Sequence, residues 1–203
     1  TSTQTAAVVN INDAPTGNVI ITGIVTEDQT LTANTASIAD ADGLGAFSYQ
    51  WLRNNVAISG ATGTTYTLGD ADVGALMSVQ VSYTDGQGTA ESLTSVQTAA
   101  VVNINDAPTG NVIITGVVTE DQTLTANTAT IADADGLGAF SYQWLRNGTA
   151  ITGATGTTYT LGDTDVGALM SVQVSYTDGQ GTAESLTSTQ TAAVVNINDA
   201  PTG

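Results

Sequence analysis

The sequence predicts an all-β chain: antiparallel β-sandwich domains in tandem, about seven strands each, joined end to end. Three observations predict it. The 203-residue chain repeats itself, with VVNINDAPTG standing at Val8–Gly17, Val101–Gly110 and Val194–Gly203, a spacing of 93 residues each time. Thr, Val and Ile fill the intervals, broken by Gly and Asp clusters at the spacing short sandwich strands require. No segment carries the period of an amphipathic helix.

The two copies, Gly17–Thr109 and Gly110–Thr202, differ at seven positions: Ile24/Val117, Ser37/Thr130, Asn55/Gly148, Val56/Thr149, Ser59/Thr152, Ala71/Thr164 and Val96/Thr189. Each copy has the size of one small domain with a modest core. The expected organisation is residues 1–16 as the tail of a preceding repeat plus linker, 17–109 as the first repeat with its outgoing linker, and 110–203 as the second. Residues Thr1–Ala7 repeat Thr187–Ala193, so the chain reads as a slice of a longer array.

Within one repeat, Val19 to Val25 is expected as the first strand and Thr30 to Asn34 as the second. Phe47 to Arg53 alternates large apolar and polar residues and is the third. Asn54–Asn55 is a tight turn, and its counterpart Asn147–Gly148 is a strong hairpin signal. Ala57–Ile58 is a short fourth strand and Thr64 to Leu68 the fifth. Met77 to Tyr83 has period two and is the sixth, and Thr89 to about Val102 is one long closing strand. Trp51 and Tyr83 are expected in the core, and Arg53, beside an acidic pole, in a structural salt bridge.

Charge excludes several functions. Nineteen acidic residues face two basic ones, Arg53 and Arg146, for a net charge of −17, with no His and no Cys. Nucleic acid and anionic membrane are poor partners for such a surface, and cations good ones. Without Cys there is no disulfide framework, and without His or Cys zinc and copper are disfavoured. No apolar run is long enough to span a membrane. Ser and Thr abound, but no His, Lys or Cys activates one, so no enzyme is expected.

The acids recur by repeat position. Eight of the nine in each repeat with its linker fall in loops, and only Glu91 falls on an expected strand. In sandwich topology the loops with Glu27, Asp28, Asp70 and Asp72 lie at one pole of the domain. Those with Asp40, Asp42 and Asp85 lie at the other. A junction between successive domains would then gather Glu27, Asp28, Asp70 and Asp72 from the first, Asn103, Asn105 and Asp106 from the linker, and Asp133, Asp135 and Asp178 from the second. Asn12 and Asp13 hold the same linker places before the first repeat, with Asp40, Asp42 and Asp85 behind them. Carboxylates, amides and carbonyls in sixes to eights suit Ca²⁺, whereas Mg²⁺ prefers water and stricter geometry. Ca²⁺ is therefore the expected cofactor. Asp40-Ala41-Asp42-Gly43 is no EF-hand: the twelfth position is Trp51 rather than Glu.

Three stretches together carry a family resemblance: Asn-Asp-Ala-Pro between domains, Ser48-Tyr49-Gln50-Trp51-Leu52-Arg53 with Ile58 to Leu68, and Asp72-Val73-Gly74 with Val79 to Asp85. The unit resembles the bacterial immunoglobulin-like tandem repeats of RTX-type adhesin extender regions. That resemblance implies an immunoglobulin-like sandwich, secretion to the bacterial cell surface, and calcium that stiffens domain junctions. A looser similarity to cadherins would assign junction roles to Glu27, to Asp70 or Asp72, to Asn105–Asp106, and to Asp133 with Asp135. The linkers here are poorer in acids, which implies one or two ions per junction. The tyrosine corner and disulfide of true immunoglobulin domains do not transfer, because Leu76 and Ser78 occupy those places.

The expected function is a spacer segment of a large extracellular adhesin, with neighbouring copies of the repeat as its partners. Near-identity of the copies favours it, since length scales with copy number. Two other readings stand beside it. One is a subunit of a filament or surface layer assembling by strand addition, with residues 1–12 as the donor. The other is a calcium-dependent carbohydrate- or protein-binding module.

Overall fold

The computed structural model describes residues 2–198, and the chain forms two compact units, Thr1–Ile104 and Asn105–Gly203. The first contains β1 (Ile20–Thr22), β2 (Thr30–Asn34), β3 (Ser48–Arg53), β4 (Val56–Ala57), β5 (Thr65–Thr67), β6 (Met77–Thr84) and β7 (Ala90–Thr94). The second repeats them as β8 (Ile113–Thr115), β9 (Thr123–Asn127), β10 (Ser141–Arg146), β11 (Thr149–Ala150), β12 (Thr158–Thr160), β13 (Met170–Thr177) and β14 (Ala183–Thr187). In the first unit a three-stranded sheet, β1-β2-β5, faces a four-stranded one, β4-β3-β6-β7, and all pairings are antiparallel. This is an immunoglobulin-like β-sandwich, and the second unit has the same strand order.

The period-two pattern puts one side of each strand inside. In β2, Leu31 and Ala33 are buried between exposed Thr30, Thr32 and Asn34. In β6, Met77, Val79, Val81 and Tyr83 point into the core. Trp51 is fully buried, stacks on Tyr66 at 5.8 Å between ring centroids, and donates its indole N–H to the Gly63 carbonyl at 3.0 Å. Its polar handle is thus satisfied inside the sandwich.

Two expectations need correction. The first strand is shorter than Val19–Val25, because Gly23 takes φ +126° and ends it. The closing segment is not one strand from Thr89 to Val102. It pairs regularly only as β7, then advances one residue too many against β6, twice. Ser95 exchanges bonds with Val79 and Thr98 with Met77; in each case the β6 N–H goes to a hydroxyl instead of a carbonyl. Side-chain oxygens thus complete the ladder where the bulges remove backbone acceptors. Beyond them, Ala100, Val101 and Val102 bridge Leu76, Val73 and Thr26 and close one end of the sandwich.

Turn chemistry is legible locally. Asn54 and Asn55 take φ +48° and +66°, and Asn147 and Gly148 take +48° and +79°, the paired positive φ of a two-residue hairpin turn. The glycine ending the repeated decapeptide is required. Gly17 has φ +85°, and a Cβ there would stand 2.0 Å from the Ser37 carbonyl oxygen. Among the described residues, no helix is long and apolar enough to cross a membrane.

Candidate metal-binding poles

Each unit gathers its acids at two ends. At the upstream end of the first unit, the turn following β6 lies against the Asp40–Gly43 loop, because Gly86 N–H donates to the Asp42 carbonyl at 3.0 Å. Asp40 accepts the Asp42 N–H on Oδ1, at 2.9 Å, and the Tyr83 hydroxyl on Oδ2. Burial, and then the hydrogen bond to Asp40, raises the Tyr83 pKa well above the ordinary phenol value. The incoming linker docks here too. Asp13 N–H donates to Asp42 Oδ2 at 2.8 Å, and Asn12 Nδ2 donates to Glu91 Oε1 at 2.8 Å.

Asp85 is the unusual member. It is 6% exposed, and its Oδ1 accepts the N–H groups of Gln87 (2.8 Å) and Thr89 (2.7 Å). Its Oδ2 is buried with no hydrogen-bond partner. Burial pushes its pKa up, but the N–H groups of Thr89, Gln87 and Gly88 and the Thr89 hydroxyl outweigh it, so the pKa lies below the ordinary carboxylate value. The group is a buried anion with one oxygen unmatched. In the second unit Asp178 repeats the pattern: Oδ1 accepts Gln180 and Thr182, and Oδ2 is buried and unmatched. Around it, Asp133 accepts the Tyr176 hydroxyl, Asp135 Oδ2 accepts the Asp106 N–H at 2.8 Å, and Asn105 Nδ2 donates to Glu184 at 2.8 Å.

At the downstream end of the first unit, Glu27 is fully buried. Its N–H donates to the Val102 carbonyl, and its Oε2 accepts the Ile104 N–H at 3.2 Å. Asn103, between those two residues, has its Oδ1 buried without a hydrogen-bond partner. A carboxylate oxygen of Glu27 lies within 4.8 Å of one of Asp70, which is exposed on a 3-10 turn. Asp28 is exposed at φ +61°. In the second unit Ile197 N–H donates to Glu120 in the same way, at 3.0 Å.

Asp72 stands apart. It is 1% exposed, and both its oxygens are engaged: Arg53 Nε donates to Oδ1 at 2.7 Å, while Tyr66 hydroxyl and Gly69 N–H donate to Oδ2 at 3.0 Å each. The ion pair raises the Arg53 pKa, and burial followed by the bond to Asp72 raises that of Tyr66. Asp165, Arg146 and Tyr159 repeat the arrangement. The expected salt bridge of Arg53 is therefore present, and its partner is one of the acids expected at a metal. Sequence reasoning missed three polar roles: the Tyr83 hydroxyl on Asp40, the Tyr66 hydroxyl on Asp72, and Glu91 as receiver of the linker. A signal for Glu91 existed, since it is the one acid of the repeat lying on a strand.

The fold and its poles define a class: tandem immunoglobulin-like modules whose acidic loops sit at their ends. No protein-family model matches the chain, and no curated protein does. Among solved structures, the chain is similar to the three N-terminal domains of the highly immunogenic outer capsid protein (Hoc) of bacteriophage RB49. That match has 19% identity and a TM-score of 0.32 over 88% of this chain, and the chain spans 59% of that one. It is also similar to murine CEACAM1b, at 17% identity and a TM-score of 0.29 over 89% of this chain and 100% of that one. The fibronectin(III)-like modules of CbhA from Clostridium thermocellum match at 16% identity and a TM-score of 0.28, over 88% of this chain and 94% of theirs.

Proposed function

We propose that the chain is an extender segment of a large secreted or cell-surface bacterial adhesin, with repeats stiffened by Ca²⁺ held at their poles and junctions. The observation that carries the reading is the buried, unmatched Oδ2 of Asp85 and Asp178. A buried carboxylate oxygen with no donor keeps lone pairs that a cation can take. The donors around it are all oxygens, and 6–8 hard oxygens are what Ca²⁺ takes.

At the upstream poles the proposed ligand set is Asp40, Asp42 and Asp85 with Asn12 and Asp13, and Asp133, Asp135 and Asp178 with Asn105 and Asp106. At the downstream pole it is Glu27, Asp70 and Asn103, with Asp28 beside them. Asp72 leaves the set, because Arg53, Tyr66 and Gly69 already occupy its oxygens. The linker is tied to these same groups. Ile104 hangs on Glu27, and Asp106 hangs on Asp135. In this reading a bound ion fixes the linker, and its loss frees a hinge.

Small-angle scattering with calcium and with chelator tests the proposal. Calcium should lengthen and narrow the distance distribution, and an unchanged distribution together with an unchanged melting midpoint would sink it.

A further inference from the structure

The two hairpin turns that join the third and fourth strands of each unit share one backbone shape but differ in sequence, Asn54–Asn55 against Asn147–Gly148. Asn54 donates its N–H to the Leu76 carbonyl and accepts the Leu76 N–H on Oδ1, at 2.9 and 3.0 Å. Asn147 makes the same pair of bonds with Leu169, at 2.8 and 2.9 Å. Asn147 and Gly148 are both exposed. Among the described residues none hydrogen-bonds the Asn147 amide nitrogen, and the space beside Gly148 where a Cβ would sit is empty.

We propose that Asn147 is a site of spontaneous, time-dependent deamidation confined to the second unit, with Asn54 as its protected counterpart. The Leu169 N–H on Oδ1 polarises the side-chain carbonyl, and the amide nitrogen faces water as a leaving group. Gly148 puts no side chain in the way of its own backbone nitrogen. That nitrogen bonds to Asn147 Cγ, the bond from Cγ to the amide nitrogen breaks, and ammonia leaves with the proton that the Gly148 nitrogen gives up. Water then opens the five-membered imide at either carbonyl, leaving aspartyl or isoaspartyl at position 147. No oxidant or reductant takes part. In the first unit the incoming nitrogen belongs to Asn55, whose side chain crowds the same approach.

Either product adds a negative charge to a chain already at −17. The isoaspartyl product also lengthens the main chain inside a two-residue turn. That disturbs the Arg146↔Thr149 pairing beside it, and with it the arginine that holds Asp165. A repeat with Asn–Gly at this turn therefore ages faster than one with Asn–Asn.

The test is prolonged incubation of the whole chain in mildly alkaline buffer, followed by peptide mass spectrometry and isoaspartate analysis. The Asn147 peptide should gain one mass unit, with isoaspartate, several-fold faster than the Asn54 peptide. Gly148→Asn should slow position 147 to the rate of Asn54, and Asn55→Gly should speed Asn54 to the rate of Asn147. Each variant carries a turn the other unit already accepts, so folding is not at stake. Equal rates at Asn54 and Asn147, or a rate unmoved by Gly148→Asn, would overturn the proposal.

Discussion

Asp72 and Asp85 are buried to a similar degree, 1% and 6% exposed, and each sits in a turn flanked by glycine. Their surroundings differ. Asp72 is met by a guanidinium, a phenol and a backbone N–H, so its charge and its lone pairs are both balanced. Asp85 is met by backbone N–H groups on one oxygen and by nothing on the other. The backbone N–H groups of Thr89, Gln87 and Gly88 hold its pKa below the ordinary carboxylate value despite burial. Asp165 and Asp178 repeat the contrast, and the one substitution between copies that touches it, Ala71 to Thr164, adds a hydroxyl bond to Arg146 on the balanced side. One aspartate is completed by the protein on both oxygens, and the other on one.

The largest expected effect breaks the balanced side. Arg53→Ala leaves the buried Asp72 charge without its cation. Such losses cost about 3–5 kcal/mol in full burial, and the partly exposed Arg53 brings this down to about 3 kcal/mol. At 4–8 °C per kcal/mol for a unit of this size, the first unit should melt well over 10 °C lower. Calorimetry should find the same loss with calcium and with chelator. A loss seen only with calcium would place Asp72 in the metal site and erase the contrast.

The next effect probes the unmatched side. An ion bound at a hundred times its dissociation constant stabilises a unit by about 2.7 kcal/mol. Asp85→Asn with Asp178→Asn should abolish the calcium-dependent rise in midpoint. In chelator the double variant should be less stable than the parent, because an amide oxygen accepts the N–H groups of Gln87 and Thr89, and of Gln180 and Thr182, more weakly than the carboxylate it replaces. Asp72→Asn should destabilise in both buffers, since its new amide N–H groups would face the donors of Tyr66 and Gly69. A full calcium response retained by the Asp85 and Asp178 variant would refute the site.

These differences set the limit of what the residues announce. The strands Thr30–Asn34 and Met77–Thr84 are legible because their alternation is strict and one face is buried. The sorting of acids to two poles is legible because turn positions alternate with strands. The break after Thr94 is not, since Val96, Gln97 and Thr98 read as good strand and the bulges depend on where two hydroxyls meet β6. Nor is the contrast of Asp72 with Asp85. Arg53 stands nineteen residues from Asp72 and Tyr66 six, and only the folded sandwich brings them to one carboxylate. The hydrogen bonds that fill one oxygen of Asp85 and spare the other are a matter of turn geometry.

The smallest expected effect lies in the tyrosine hydroxyls that hold Asp40 and Asp133. Tyr83→Phe with Tyr176→Phe removes a bond to a carboxylate in each unit, worth about 1.5 kcal/mol at neutral pH. The pH dependence separates this from simple packing loss. Both tyrosines have folded pKa values raised above the ordinary 10, so their contribution is whole below about pH 10 and is lost as pH climbs through the raised values. Asp85, with a lowered pKa, works in the opposite direction: its contribution is present above about pH 4 and is lost as pH falls further. Melting midpoints followed across pH should therefore fall at both ends. In the phenylalanine variant the alkaline fall should shrink to what Tyr66 and Tyr159 supply, while the acid fall stays where it was. An alkaline limb unchanged by the substitution would mean that the phenols bound to Asp40 and Asp133 do not hold the upstream poles together.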